Sequence, residues 1–249
     1  MVTSTHKLAK MTIILFIIVL LIITISYVKR KARNKILIKI NQSKERIKPF
    51  QNASFNSTIK GDKSWSKELL RKLEWKRYEE VCTEYLKIKN CNAAVTCIGA
   101  DGGIDIKITD KDGNLFAIGQ CKSWNKAIGV NLIRELYGVM VSEKAEYALF
   151  FTTMGFSIDA MKFAQDKKII LIDENELIKL IKELNDIDKN KLHMIAVDGD
   201  YTTPTCVSCN TKMVKRIAKT GRNPGNEFWG CANYPKCKHK MFISTKTYQ

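Results

Sequence analysis

Negative charge is scarce in this chain. Its 249 residues carry 25 Asp and Glu against 42 Lys and Arg, a formal net charge of +17. The balance points to a polyanionic partner, either nucleic acid or an anionic membrane surface. Histidine is scarcer still, with only His6, His193 and His239, and none falls into a pattern with the candidate residues below. There are no internal repeats, which excludes a solenoid array, and no low-complexity tract beyond one basic linker. The dense cysteine framework of a small secreted domain is also missing. Of eight cysteines, Cys82, Cys91, Cys97 and Cys121 are scattered and read as small buried hydrophobes. The other four, Cys206, Cys209, Cys231 and Cys237, form two close pairs, which reads as metal ligation in a reducing compartment.

What is present divides the chain into parts. Residues 1–28 contain an uncharged run of 18 residues, Met11 to Val28, rich in Ile and Leu. As a helix this run is about 27 Å long, enough to span a hydrocarbon core. Lys7 and Lys10 precede it, whereas Lys29, Arg30, Lys31, Arg33 and Lys35 follow. The larger positive flank stays inside, so the rest of the chain is expected in the cytoplasm. A cleaved leader does not fit, because Ser26 runs into Tyr27-Val28-Lys29-Arg30 without an A-x-A site. Residues 29–62 form a basic linker with nine Lys or Arg and only Glu45 before Phe50. It either lies along anionic headgroups or acts as a solvated spacer.

Residues 63–188 carry the pattern of one α/β domain. A helix is expected over Ser66–Lys89, strands over Ala93–Ile98, Ile104–Thr109 and Leu115–Cys121, and a helix over Asn131–Lys144. A buried strand Tyr147–Thr152 follows, then a helix Ser157–Asp166, a strand Lys168–Ile172 and a helix Glu174–Leu184. This order predicts a mixed central sheet with helices on both faces. A polar connector spans 189–200, with His193 solvated on it, and a small module occupies 201–249.

Asp112-Gly113 is a turn signal, so the strands on either side should pair as a hairpin. Asp105 sits on the first strand. Gln120 and Lys122, two apart, share a face of the second. A carboxylate and an amide oxygen are hard ligands suited to Mg²⁺, and a neighbouring ammonium stabilises developing phosphate charge. A salt bridge on a polar sheet face accounts for the same residues equally well.

The order of these elements resembles the Mrr-like branch of the PD-(D/E)xK nucleases, from about Trp65 to Leu184. Tyr78-Glu79 stands for the family's helical aromatic–acid pair. Gly103-Ile104-Asp105 stands for its G-x-D, and Gln120-Cys121-Lys122 for its Q-x-K. Ile128-Gly129-Val130, Arg134-Glu135-Leu136-Tyr137-Gly138 and Thr152-Thr153 with Phe156, Ala160 and Ala164 match its later motifs. The resemblance implies a PD-(D/E)xK nuclease-like α/β fold and Mg²⁺-dependent hydrolysis of DNA. It implies Asp105 as central metal ligand, with the Gln120 side-chain oxygen and the Cys121 carbonyl as further ligands. Lys122 would lie at the phosphate and Glu79 would complete the site from the first helix. Glu80 is the neighbouring alternative to Glu79, and Asp101 reads as a turn former. Such relatives act in restriction of foreign or modified DNA, and a double-strand cut favours a homodimer. A DNA grip of low catalytic power is the competing reading.

In the last module, Cys206-x2-Cys209 and Cys231-x5-Cys237 are 21 residues apart, and four thiolates so spaced close a Zn²⁺ site. Phe228-Trp229-Gly230-Cys231 and Tyr234-Pro235-Lys236-Cys237 resemble the four-cysteine zinc ribbon at the C-termini of bacterial type I topoisomerases. From residue 201 on there are nine Lys or Arg and one acid, Glu227. Phe228, Trp229 and Tyr234 serve either as stacking surfaces for bases or as the module's own small core.

Overall fold

The computed structural model describes residues 65–96, 103–220 and 224–243, all within one compact unit of the chain, 53–249. The segment 11–28, the linker 29–62, Cys97 and Asp101 lie outside the described residues. Among those described, no helix is long and apolar enough to cross a membrane.

Helices α1 (Lys67–Lys72) and α2 (Trp75–Ile88) lead into β1 (Asn92–Val95), β2 (Ile106–Thr109) and β3 (Leu115–Lys122). Then come α3 (Val130–Ser142), β4 (Tyr147–Thr152), α4 (Ile158–Gln165), β5 (Ile169–Ile172), α5 (Glu174–Lys182) and α6 (Asp186–Val197). The five strands lie side by side in chain order. The first three pair antiparallel and the last two add in parallel, giving the expected mixed sheet. Strands β6 (Met213–Ile217), β7 (Glu227–Cys231) and β8 (Lys240–Phe242) form a separate antiparallel sheet.

The hairpin turn forms as its residues dictate. Gly113 takes φ +84°, open to glycine without strain, and the Asp110 carboxylate accepts the N–H groups of Asp112 and Asn114 at 2.9 and 2.8 Å. Alternate β-strand residues feed two cores. Ile118, Ala148 and Phe150 pack with Ile133, Leu136 and Met140 of α3 and with Ala160 and Ala164 of α4. On α2, Tyr78, Val81, Cys82, Tyr85 and Leu86 are buried, and the Cys82 side chain reaches that of Cys121 on β3. Cys82, Cys91 and Cys121 are buried free cysteines, as expected of small hydrophobes.

Two expectations are corrected. The single helix over 66–89 is two helices with a break at Leu73–Glu74. The apolar pattern runs through the break, since Leu70 and Leu73 are both buried, so hydrophobicity alone gives no stop signal. Glu74 instead turns the chain and caps α2, accepting the Lys76 N–H at 3.2 Å. The second correction concerns the connector, most of which is helix α6. Asn185 caps it by accepting from Asp188 N at 2.9 Å, and Leu192 and Ala196 are fully buried. The polar majority hides a stripe only two residues wide. His193 is therefore not solvated: it is half-buried, and its ring meets Trp65 edge-on at 5.7 Å.

Candidate active site and the four-cysteine cluster

The candidate residues gather where β2 and β3 begin to pair. Asp105 lies just before β2, its N–H bonded to Gly119 O at 2.9 Å. The next ladder acceptor for Cys121 N would come from Gly103, but the chain bends away there with φ +81°. The Asp105 carboxylate takes its place, accepting Cys121 N–H at 2.7 Å. The carboxyl is thus fixed beside the backbone of the residue between Gln120 and Lys122. Cys121 offers its carbonyl to the same edge of β3, because a strand residue's N–H and C=O point the same way.

Glu79 is 9% exposed on the second turn of α2. Burial pushes its carboxyl up from 4.5 to about 8, Asp105 adds repulsion, and Lys122 opposes both. Glu79 therefore feels the charges of both Asp105 and Lys122. Glu80 behaves differently. Its side chain is 37% exposed and pairs with Arg77 at 3.5 Å, so of the two neighbours Glu79 faces the cluster.

Gln120 is 4% exposed, and its Oε1 is buried without a hydrogen-bond partner. An orphaned buried acceptor is costly in a folded protein. An amide oxygen is a hard ligand, and together with the carboxylates of Glu79 and Asp105 and the Cys121 carbonyl it makes a donor chemistry that suits Mg²⁺. The glycine of the G-x-D motif has a steric cause. A Cβ at Gly103 would sit 2.7 Å from Gln120 Nε2, on a backbone already at positive φ.

The later motifs support the end of β3. Thr153 N–H donates to Lys122 O at 3.3 Å, and Thr153 Oγ1 donates to Trp124 O at 3.0 Å. Ile128 bridges Phe156, with Ile128 N–H bonded to Gly155 O at 2.9 Å. Tyr137 and Phe163 meet edge-on at 6.0 Å, with Arg134 5.6 Å above Phe163. Thr153 thus ties down the end of β3, while Arg134 and Tyr137 join α3 to Phe163 of α4.

Residues 70–181 match the restriction endonuclease family Mrr_cat. The type IV methyl-directed restriction enzyme EcoKMrr of Escherichia coli (strain K12) is 34% identical over 104 residues, covering 41% of this chain. The chain spans about a third of that relative's length, 34%. Two solved restriction endonucleases are also similar. One is the MspJI restriction endonuclease in complex with a 27-mer oligonucleotide (TM-score 0.39, 13% identity, 61% of this chain and 41% of that one). The other is the DNA modification-dependent enzyme AspBHI (TM-score 0.38, 16% identity, 60% and 45%). Glu79, Asp105, Gln120 and Lys122 all fall inside the Mrr_cat match.

The C-terminal cysteines also converge. The four Sγ atoms of Cys206, Cys209, Cys231 and Cys237 lie within 4.8 Å of one another. Cys206 and Cys237 are 3.7 Å apart, and Cys209 and Cys231 are 3.3 Å apart. A tetrahedral site with bonds of about 2.3 Å has ligand separations of roughly 3.8 Å. Asn233 supports the cluster, its backbone N–H donating to Cys231 Sγ at 3.4 Å and its amide to Cys209 Sγ at 3.5 Å. Cys231 holds the Cys209 thiol down to about 6, and burial pushes Cys231 up to about 12.

The aromatics of this module divide. Trp229 packs against the core of Cys206, Met213 and Cys231, whereas Tyr234 is 62% exposed. Phe228 is half-buried. Lys215, Arg216, Lys219, Lys238 and Lys240 line one groove with Tyr234. His239 donates to or accepts from Ser208 Oγ at 3.2 Å. Sequence reasoning missed Glu74, which joins this module to α2; its only signal is an acid at the helix break.

Proposed function

We propose that this chain is a membrane-anchored DNA endonuclease that hydrolyses phosphodiester bonds with a divalent metal, in restriction of foreign or modified DNA. The observation that carries the reading is that buried Glu79 feels the charges of both Asp105 and Lys122, with the Gln120 oxygen two residues from Lys122 on the same strand buried and unpartnered, inside the region that matches restriction endonucleases. The relative named as methyl-directed supports modified DNA as the target.

Asp105, Glu79, the Gln120 amide oxygen and the Cys121 carbonyl would hold Mg²⁺. A bound Mg²⁺ supplies charge neutralisation at the scissile phosphate and acidification of the attacking water. Asp105 is held rigid by the Cys121 N–H, so it binds without reorganising. Lys122 extends its ammonium to the phosphate oxygens where negative charge grows. Glu79 holds a proton near neutral pH until a cation takes its place. Two copies of the chain, each cutting one strand, would produce a double-strand break.

Residues 63–188 form the nuclease domain in this reading, and residues 201–249 form a zinc ribbon. Zn²⁺ on four thiolates has no open position, so that site is structural. The cationic groove beside Tyr234 would take the DNA backbone. The apolar run 11–28, with its positive flank on the C-terminal side, anchors the chain with both domains in the cytoplasm.

The test is the full-length protein against methylated and unmethylated plasmid, with Mg²⁺ or with EDTA. Cleavage of the methylated plasmid that needs Mg²⁺ is expected. Equal cutting of both plasmids would remove the modification preference, and no cutting of either would contradict the endonuclease reading.

A further inference from the structure

Glu74 is an acid 8% exposed and outside the candidate site, yet it collects four donors. Its Oε2 accepts from Lys76 N and Thr205 N, both at 3.2 Å. Its Oε1 accepts from Thr205 Oγ1 at 2.9 Å and from Lys212 Nζ at 3.3 Å. Its own N–H donates to Tyr201 O at 2.9 Å. The next residue, Trp75, donates its indole N–H to Thr205 O at 2.7 Å, and Lys76 Nζ reaches Asn210 Oδ1. The first turn of α2 is thus bound to the C-terminal module at three successive residues.

Both ends of this junction adjoin candidate metal residues. Thr205 is followed directly by Cys206, which is fully buried and whose carbonyl accepts Asn210 N–H at 2.9 Å. On the other side, Glu79 lies five residues after Glu74 on the same helix. Leu73, at the helix break, accepts Ser123 Oγ at 3.2 Å, and Ser123 directly follows Lys122. One short path therefore runs from the cysteine cluster through Thr205 and Glu74 to the elements carrying Glu79 and Lys122.

We propose that Glu74 is a positioning residue through which the occupied four-cysteine site sets the divalent-cation affinity of the Glu79–Asp105 site. The proposal rests on the metal readings of both sites given above. With the thiolates closed on a cation, Cys206 is fixed, Thr205 presents its N–H and hydroxyl to Glu74, and α2 begins at the right place and angle. Without the cation, the 201–212 segment loses its frame. Glu74 is then deprived of three of its four donors, and the start of α2, with Glu79, is free to shift. The ribbon is on this account a built-in condition for a working nuclease site as well as a DNA-binding surface.

The test measures Zn content and Mn²⁺ affinity, the latter by electron paramagnetic resonance, on the full-length chain without DNA. The variants are Cys237→Ser, Glu74→Ala, their double variant, Glu74→Gln and Thr205→Val, with near-ultraviolet circular dichroism to confirm folding. Cys237→Ser should lose Zn and weaken Mn²⁺ binding on the order of tenfold. Glu74→Ala should keep Zn and weaken Mn²⁺ to a similar degree. The double variant should be no weaker than either single one, because both act along one path. Glu74→Gln should recover part of the affinity, and Thr205→Val, which removes one hydroxyl, should show a smaller loss. Unchanged Mn²⁺ affinity on Zn loss, or effects that simply add, would overturn the proposal alone. Wild-type protein without Zn would overturn it together with the metal reading of the thiols. Mn²⁺ binding that Asp105→Asn leaves intact would overturn it together with the nuclease-site reading.

Discussion

Glu79 shows how a single residue's surroundings set its chemistry. A carboxyl held at about 8 by burial and by Asp105 keeps its proton at neutral pH. Its folded value lies above the ordinary 4.5, so between those two values the folded state binds a proton that the unfolded state has lost. Stability of the metal-free protein should therefore fall as pH rises through that window and level off above it. A cation competing for the same carboxyl should bind more tightly over the same rise. Mg²⁺ half-saturation measured from pH 6 to 9 should drop toward pH 8 in the wild type and stay nearly flat in Glu79→Gln. Equal slopes in the two proteins would mean that another group supplies the proton. Glu80→Gln should change cleavage far less than Glu79→Gln, because Glu80 faces outward to Arg77. Gly103→Ala tests the steric account of its motif. The added methyl meets Gln120 at 2.7 Å on a backbone of positive φ, so urea unfolding should show a loss of about 1–3 kcal/mol. A neutral effect would mean that Gln120 moves aside freely.

At the scale of elements, the pattern of alternation and helical period was enough to place the sheet. Tyr147–Thr152 is a strand with the bounds its apolar run suggests, and Asp112-Gly113 marks the hairpin. Asp105 and Lys122 stood out as candidates only through the resemblance of Gly103-Ile104-Asp105 and Gln120-Cys121-Lys122 to family motifs, since the hairpin by itself fits a surface salt bridge equally well. The break at Leu73–Glu74 was not legible, since burial of Leu70 and Leu73 continues the apolar face across it. Helix α6 was hidden because two buried residues, Leu192 and Ala196, are enough to hold it. The role of Glu74 was invisible for a different reason: its partners, Thr205 and Lys212, are more than 130 residues away. This docking also alters how the C-terminal module should be probed. Deleting 201–249 would uncover a buried carboxylate and the Trp75 indole, so surface substitutions are the cleaner test. Replacing Lys215 and Arg216 by Ala should lower the salt dependence of DNA binding by about one unit of log slope for each phosphate left without its cation. An unchanged slope would assign the groove to a protein partner.

At the scale of the whole molecule, the proposed reading would bring an excess of 17 positive charges, a candidate hydrolytic site and a four-cysteine cluster to bear on one polyanion beside a membrane. Fractionation should recover the full-length chain with membranes, and a C-terminal reporter should be active in the cytoplasm, following the positive flank of Met11–Val28. Activity only outside the cytoplasm would overturn the orientation and the reducing environment that four free thiolates require. The site at the end of β3 is tested by comparing Mg²⁺-dependent plasmid cleavage with DNA binding in Asp105→Asn and Lys122→Ala. Asp105→Asn keeps the side chain's size but removes its charge, and Lys122→Ala removes the cation at the phosphate. Both variants should fold and bind DNA nearly as the wild type does while cleavage is abolished. Full cleavage by Asp105→Asn would contradict the assignment of this site.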